Sequence, residues 1–219
     1  KSLDQFKALE PTFRDVQAYL KSIEAPRYPF SIDGSRAERG RVVFERSCAR
    51  CHGSYGANGS YPNKIVPIDV VNTDPARLTG LSDRLVAHYN NTWFAADSPV
   101  ASEKIGYQAP PLDGIWASAP YLHNGTVPTL DALLKSSTRP KRFTRPASTD
   151  FEHYDRTRVG WTFREVTAQE QAALAKASPF SAKFIVDTSR YGMGNGGHTF
   201  GDKLSDAQRG ELIEYLKTL

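Results

Sequence analysis

Cys48-Ala49-Arg50-Cys51-His52 has the Cys-x-x-Cys-His spacing at which c-type haem is attached. Two thiols so spaced can add to the vinyl groups of a porphyrin, and the adjoining imidazole then lies under the ring, where it can ligate the iron. Cys48 and Cys51 are the only cysteines in the chain, so the motif consumes all of its thiol chemistry and leaves no disulfide. A zinc site would need two further ligands, yet His88, His123, His153 and His198 are scattered, with no second Cys pair and no His-x3-5-His spacing. A redox dithiol would open a helix after a strand. Here residues 37–46 read instead as a helix leading into the motif.

That helix carries Gly40 and Phe44, a spacing that lets a second helix approach closely while the aromatic ring packs beside it. The natural partner is the last helix, where Ser205 and Gln208 form a capping box and Leu212, Ile213, Leu216 and Leu219 make an apolar stripe around Gly210. First and last helices crossing over a haem edge is similar to the arrangement of class I cytochromes c. The expected fold is mainly α: a class I cytochrome c-like haem domain with long loop insertions and a few short strands.

Between these helices the chain is irregular. Residues 53–59 are too glycine-rich to continue a helix, and Pro62, Pro67 and Pro75 make 61–75 extended. A helix is expected from Asp74 to about Asn91, another beginning at Thr129, a third over 167–177, and a strand over 183–188. Upstream, Leu9, Phe13, Val16, Leu20 and Ile23 line one face of a helix that Pro26 and Pro29 end. Its tail, Tyr19-Leu20-Lys21-Ser22-Ile23, echoes Tyr215-Leu216-Lys217-Thr218-Leu219. The domain expectation is therefore residues 1–30 as an N-terminal helix and linker, a remnant of a preceding unit, and 31–219 as a mono-haem cytochrome c domain.

With 219 residues, 39% of them hydrophobic, the chain can bury a core. Its net charge of +4 is spread along its length, which fits docking on an acidic partner protein and gives no reason to invoke nucleic acid. No apolar run approaches a membrane span, and residue 1 does not open a signal peptide, so a mature chain or an excised piece is expected. Covalent haem attachment in bacteria occurs outside the cytoplasmic membrane, so the expected location is periplasmic or secreted.

Residues 109–130 run Ala-Pro-Pro-Leu-Asp-Gly-Ile-Trp-Ala-Ser-Ala-Pro-Tyr-Leu-His-Asn-Gly-Thr-Val-Pro-Thr-Leu. By composition this is a loop, a short apolar turn and a helix start, with Trp116 and Tyr121 lining something, here assigned as haem surroundings. The run resembles the Ala-Pro-Tyr-His-(Asp/Asn)-Gly segment in the C-terminal haem domain of the bacterial di-haem cytochrome c peroxidase superfamily. Residues 192–201 also resemble a Gly-Asn-x-x-x-Gly-His segment of its rubber-oxygenase-like branch, the nearest match. The resemblance implies that His123 lies near the haem without ligating it. Residues 139–163 alternate basic and aromatic side chains and read as a solvated loop; the functional option is that an arginine such as Arg142 pairs with a haem propionate or forms a docking rim.

His52 is the expected proximal ligand, and the opposite ligand decides what the iron can do. Met193 and His198 share one glycine-rich loop, and either could be brought to the iron. The resemblance favours His198 as the distal ligand of a bis-His haem, with Met193 the alternative. The peroxidase relatives take their ligand from the helix after the His-Asn-Gly segment, and here 131–137 contains no Met, Tyr or His. The expectation is a carrier of single electrons with one covalent haem c and a redox partner protein, rather than an enzyme. The alternatives are a peroxidase- or oxygenase-type haem enzyme with a displaceable sixth ligand, or one domain of a larger secreted redox protein.

Overall fold

The computed structural model describes residues 2–96, 99–100 and 105–219. In chain order these form α1 (Leu3–Lys7), α2 (Glu10–Ser22), α3 (Gly34–Ser47), α4 (Ala49–His52), β1 (Ile65–Pro67), α5 (Ile68–Val71), α6 (Ala76–Thr79), α7 (Asp83–Asn90) and β2 (Gly106–Gln108). There follow α8 (Leu130–Leu134), β3 (Arg142–Thr144), β4 (Tyr154–Asp155), β5 (Gly160–Trp161), β6 (Arg164–Glu165), α9 (Ala168–Ala177), α10 (Pro179–Ala182), β7 (Ile185–Asp187) and α11 (Asp206–Leu216). The chain is mainly helical, with short antiparallel pairings: β1 with β2, β4 with β5, and β3 between β6 and β7. In the three-stranded sheet Phe143 faces both Val186 and Glu165 in register.

The crossing of α3 and α11 organises the core. Asp33 caps α3 by accepting from the Ser35 and Arg36 N–H groups, while its own N–H donates to Glu214 of α11 at 2.9 Å. Ser205 and Gln208 form the capping box that starts α11. At the crossing, a Cβ on Gly40 would stand 1.9 Å from the Glu211 carbonyl oxygen, so only hydrogen fits there. Phe44 is buried one turn further along, its ring 5.2 Å from that of Tyr215 and 5.8 Å from that of Tyr55. Leu212, Ile213 and Leu216 complete the contact, joined by Trp116, Tyr121, Val127 and Leu130 from the middle of the chain.

The helix expected over residues 74–91 is two helices. Gly80 ends α6, and Ser82 starts α7 by accepting the Leu85 N–H, so a competing cap divides the apolar periodicity. Residues 61–75, expected to be extended, form β1 and then the single turn α5. Helix α2 forms as its periodicity predicts, yet Phe13, Val16, Leu20 and Ile23 are all at least half exposed. The chain joins the main body after it: Pro26 accepts from the Trp116 indole N–H at 3.0 Å, and Tyr28 is buried among core residues.

Gly40→Val should therefore force the crossing apart and lower the unfolding free energy by about 2 kcal/mol, the scale of an overpacked core. Gly34→Ala, where a Cβ meets nothing within 4 Å, should not lower it. Urea unfolding of the haem-loaded protein, followed by circular dichroism, measures both.

Candidate haem site

The turn after α3 presents the Cys-x-x-Cys-His residues on one face. Cys48 ends α3, and α4 continues for one turn before Gly53, at φ +85°, reverses the chain. This brings the two half-buried cysteines, three residues apart, to the same wall as His52. Burial, with Cys51 nearby, pushes the Cys48 thiol up to about 11. His52 Nδ1 lies 2.9 Å from the Pro110 carbonyl oxygen, which accepts its proton and leaves the other ring nitrogen with a free lone pair. Burial lowers the His52 pKa against the raising effect of that bond, keeping the ring neutral. The Pro110 loop is held in turn by Tyr55, whose hydroxyl accepts the Leu112 N–H at 2.5 Å.

His198 faces this wall from the glycine-rich loop. Its backbone is left-handed, φ +46°, an uncommon conformation for a side chain of this size. The preceding Gly197, at φ +72°, lies so near Asn72 that an added Cβ would stand 2.2 Å from the Asn72 carbonyl carbon. The His198 N–H donates to Val71 at 2.7 Å. The loop is strapped from three further directions: Asn124 donates to the Gly194 carbonyl at 2.8 Å, Asp74 accepts the Gly194 N–H at 2.9 Å, and Arg139 donates to carbonyls at 195, 197 and 198. Burial, reinforced by the Arg139 charge and by the neighbouring His52, which would repel a second proton, lowers the His198 pKa to about 4, so its imidazole is neutral at physiological pH.

The two imidazole rings stand 6.2 Å apart, centre to centre, at an interplanar angle of 62°. An imidazole nitrogen binds a first-row metal at about 2 Å and lies about 1 Å from its own ring centre, so two rings on opposite sides of one ion have centres about 6 Å apart. Around them is a cavity of about 560 Å³, backed by Phe44, Val71, Leu130, Leu212 and Leu216. His198 Nδ1 is buried with no hydrogen-bond partner among the described residues, a costly state for a polar atom with nothing to bind. Ring spacing, apolar walls and adjacent thiols together fit a haem.

A profile of RoxA-like, cytochrome c-like domains matches residues 106–144. The chain resembles the rubber-oxygenase-like branch of the c-type cytochromes. It is 30% identical over 244 residues to the uncharacterized protein y4iM of Sinorhizobium fredii (strain NBRC 101917 / NGR234), covering 93% of this chain and 53% of that protein. To the uncharacterized protein y4iJ of the same organism it is 28% identical over 265 residues, covering 90% of this chain and 41% of that one. The chain spans about half the length of these relatives. A cytochrome c-like segment implies haem-based redox chemistry.

The cytochrome c-like segment reaches both faces of the cavity, since it contains Pro110, which holds His52, and Arg139, which holds the His198 loop. Tyr121 and His123 line the cavity, Tyr121 with its hydroxyl donating to the Ile115 carbonyl and His123 stacked on Tyr107 at 4.4 Å. Two expected placements change, and the alternative distal residue lies off the cavity. Trp116 turns away from the cavity toward Tyr28 and Tyr154, anchored by its bond to Pro26. Arg142 pairs with Asp187 at 3.1 Å across the β3–β7 ladder and does not reach the cavity, because a closer carboxylate takes its guanidinium. Met193 is likewise absent from the lining, although its loop neighbour His198 is there. The exposed cavity residues are Arg50, Arg77, Gln108, Pro110 and Ser118, and of these Arg50 and Arg77 carry charge. Arg77 lies in a stretch whose sequence offers no motif, so only the packing of α6 reveals it.

Tyr55→Phe should leave the Leu112 N–H without its acceptor and lower stability by about 1–2 kcal/mol. Thermal unfolding of the haem-loaded protein, followed by Soret absorbance, should show the lowered midpoint; an unchanged midpoint would separate the Tyr55 bond from the anchoring of His52.

Proposed function

We propose that the chain is a class I-like, single-haem c-type cytochrome domain that passes one electron at a time between redox partner proteins. The observation that carries this reading is the 6.2 Å separation of His52 and His198 across an apolar cavity beside the Cys-x-x-Cys turn. In it Cys48 and Cys51 would hold the porphyrin as thioethers, and His52 and His198 would supply the nitrogens that bind its iron. Bound haem supplies a one-electron couple at its iron, and two imidazoles place that couple lower than a His/Met pair would.

The surrounding side chains have defined tasks. The Pro110 carbonyl holds a proton on His52 Nδ1 and so orients the ring. Phe44, Leu130, Leu212 and Leu216 exclude water, lowering the local dielectric around the redox centre. Arg50 and Arg77 supply positive charge at the exposed part of the lining, where guanidinium groups match propionate carboxylates. With both imidazoles engaged, peroxide and oxygen have no open position, which favours a carrier over a peroxidase or oxygenase.

Covalent haem c is assembled outside the cytoplasmic membrane, so the reading places the domain in the periplasm or beyond the cell. Among the described residues no helix is long and apolar enough to cross a membrane. We assign residues 31–219 to the haem domain and 1–30 to an N-terminal helix and linker whose end packs on that domain through Pro26 and Tyr28; the exposed stripe of α2 is what the closing helix of a preceding unit would present.

The ferrous protein should take up carbon monoxide slowly, at the rate at which an axial ligand leaves, whereas rapid stoichiometric uptake would move the assignment to a haem enzyme. Replacing both Cys48 and Cys51 by Ala should make the haem extractable into acidified solvent; retention of one haem on the denatured native chain, lost in the variant, checks the attachment.

A further inference from the structure

The loop that carries His198 is held by a group the electron-transfer reading does not itself require. Arg139 follows α8, half buried, and all five of its N–H donors meet backbone carbonyls. Nε donates to Ala132 at 3.1 Å and Nη2 to Leu133 at 2.9 Å, at the end of α8, where helix carbonyls lack intrahelical partners. Nη1 donates to Asn195 and Gly197, both at 2.7 Å, and Nη2 to His198 at 3.2 Å. One planar fork thus joins a cavity wall, through Leu133 and the neighbouring Leu134, to the carbonyls on either side of the His198 Cα.

We infer that Arg139 is the positioning residue that keeps His198 at its place opposite His52, and so determines whether the distal side of the cavity is closed to small molecules. This rests on the reading of His198 as axial ligand. The need for such a clamp is visible in the backbone: His198 is left-handed, a conformation that a residue with a side chain takes at a cost and keeps when its surroundings hold it. The Val71 bond fixes the His198 N–H, but nothing except Arg139 takes its carbonyl among the described hydrogen bonds. A lysine could not substitute, since its ammonium carries three donors on a flexible stem and cannot span five carbonyls set out around a plane. Removing the fork lets the loop relax and the imidazole withdraw, while the thioethers and His52, on the opposite wall, stay in place.

The test compares the native protein with Arg139→Lys, which keeps the charge and loses the fork, and Arg139→Gln, which loses both. Each is purified with covalent haem, checked for haem content and circular dichroism, and mixed in the ferrous state with carbon monoxide. The same substitutions are repeated in a His198→Ala background. A native low-spin spectrum, a carbon monoxide on-rate raised roughly tenfold or more in the Arg139 variants, as losing charged hydrogen bonds implies, and no Arg139 effect once His198 is absent would support the inference. A native low-spin spectrum with unchanged rates in whichever Arg139 variant folds would overturn it and leave the axial assignment standing. An equal Arg139 effect with and without His198 would also overturn it, since a merely structural role acts regardless of the ligand. A native protein that is high-spin or shows a Met ligand would overturn the axial assignment and this inference together.

Discussion

Two neutral imidazoles facing one another at 6.2 Å across an apolar cavity are the constraint on which the site depends. Neither ring could hold that position by its own preference. His52 is placed by a helix that ends at Cys48 and by the Pro110 carbonyl; His198 is placed by a loop with a left-handed backbone, held between Val71 and Arg139. The crossing of α3 on α11 at Gly40 brings Phe44, Leu212 and Leu216 together as the dry back of the cavity. If a side chain at Gly40 separated those helices, water would enter beside both rings.

Polar groups do much of the holding in a molecule whose regular elements are short. The guanidinium groups of Arg139 and Arg209 are spent mainly on backbone carbonyls, Arg209 donating to Gly201 at 3.2 Å and to Leu204 at the start of the last helix. Irregular backbone buried beside a cavity leaves carbonyls that helices and ladders would otherwise satisfy, and a five-donor side chain is an economical partner for them. The basic and aromatic stretch 139–163 reads from sequence as a solvated loop with an option on the propionates. It instead knits loops together: Arg139 binds carbonyls, Arg142 pairs with Asp187, and Arg145 lies over the Phe184 ring at 5.0 Å.

The elements legible from sequence were those with local signals. The helix entering the motif, the helix over 167–177, the capping box at Ser205 and the close approach at Gly40 each rest on residues within a few positions or on a steric rule with one solution. The break between α6 and α7 was not legible, because Ser82 can cap a helix or sit within one and tertiary context chose the cap. Trp116 and Arg142 were expected near the haem on residue type alone; a buried indole and an arginine go wherever a carbonyl or carboxylate is available, and Pro26 and Asp187 lie elsewhere. The glycines around Met193 and His198 implied a loop free to offer either side chain. The structure shows a loop tied by Asp74, Asn124 and Arg139, contacts up to 120 residues away in sequence that no local pattern encodes.

We propose that His52 and His198 hold one iron between them. The most direct measurement is the low-temperature electron-paramagnetic-resonance spectrum of the purified ferric protein, with its near-infrared absorption recorded beside it. Ligation by His52 and His198 predicts a low-spin signal of the bis-imidazole type and no Met-to-iron charge-transfer band. A high-spin signal, or a charge-transfer band assigning the sixth position to Met193, would contradict it.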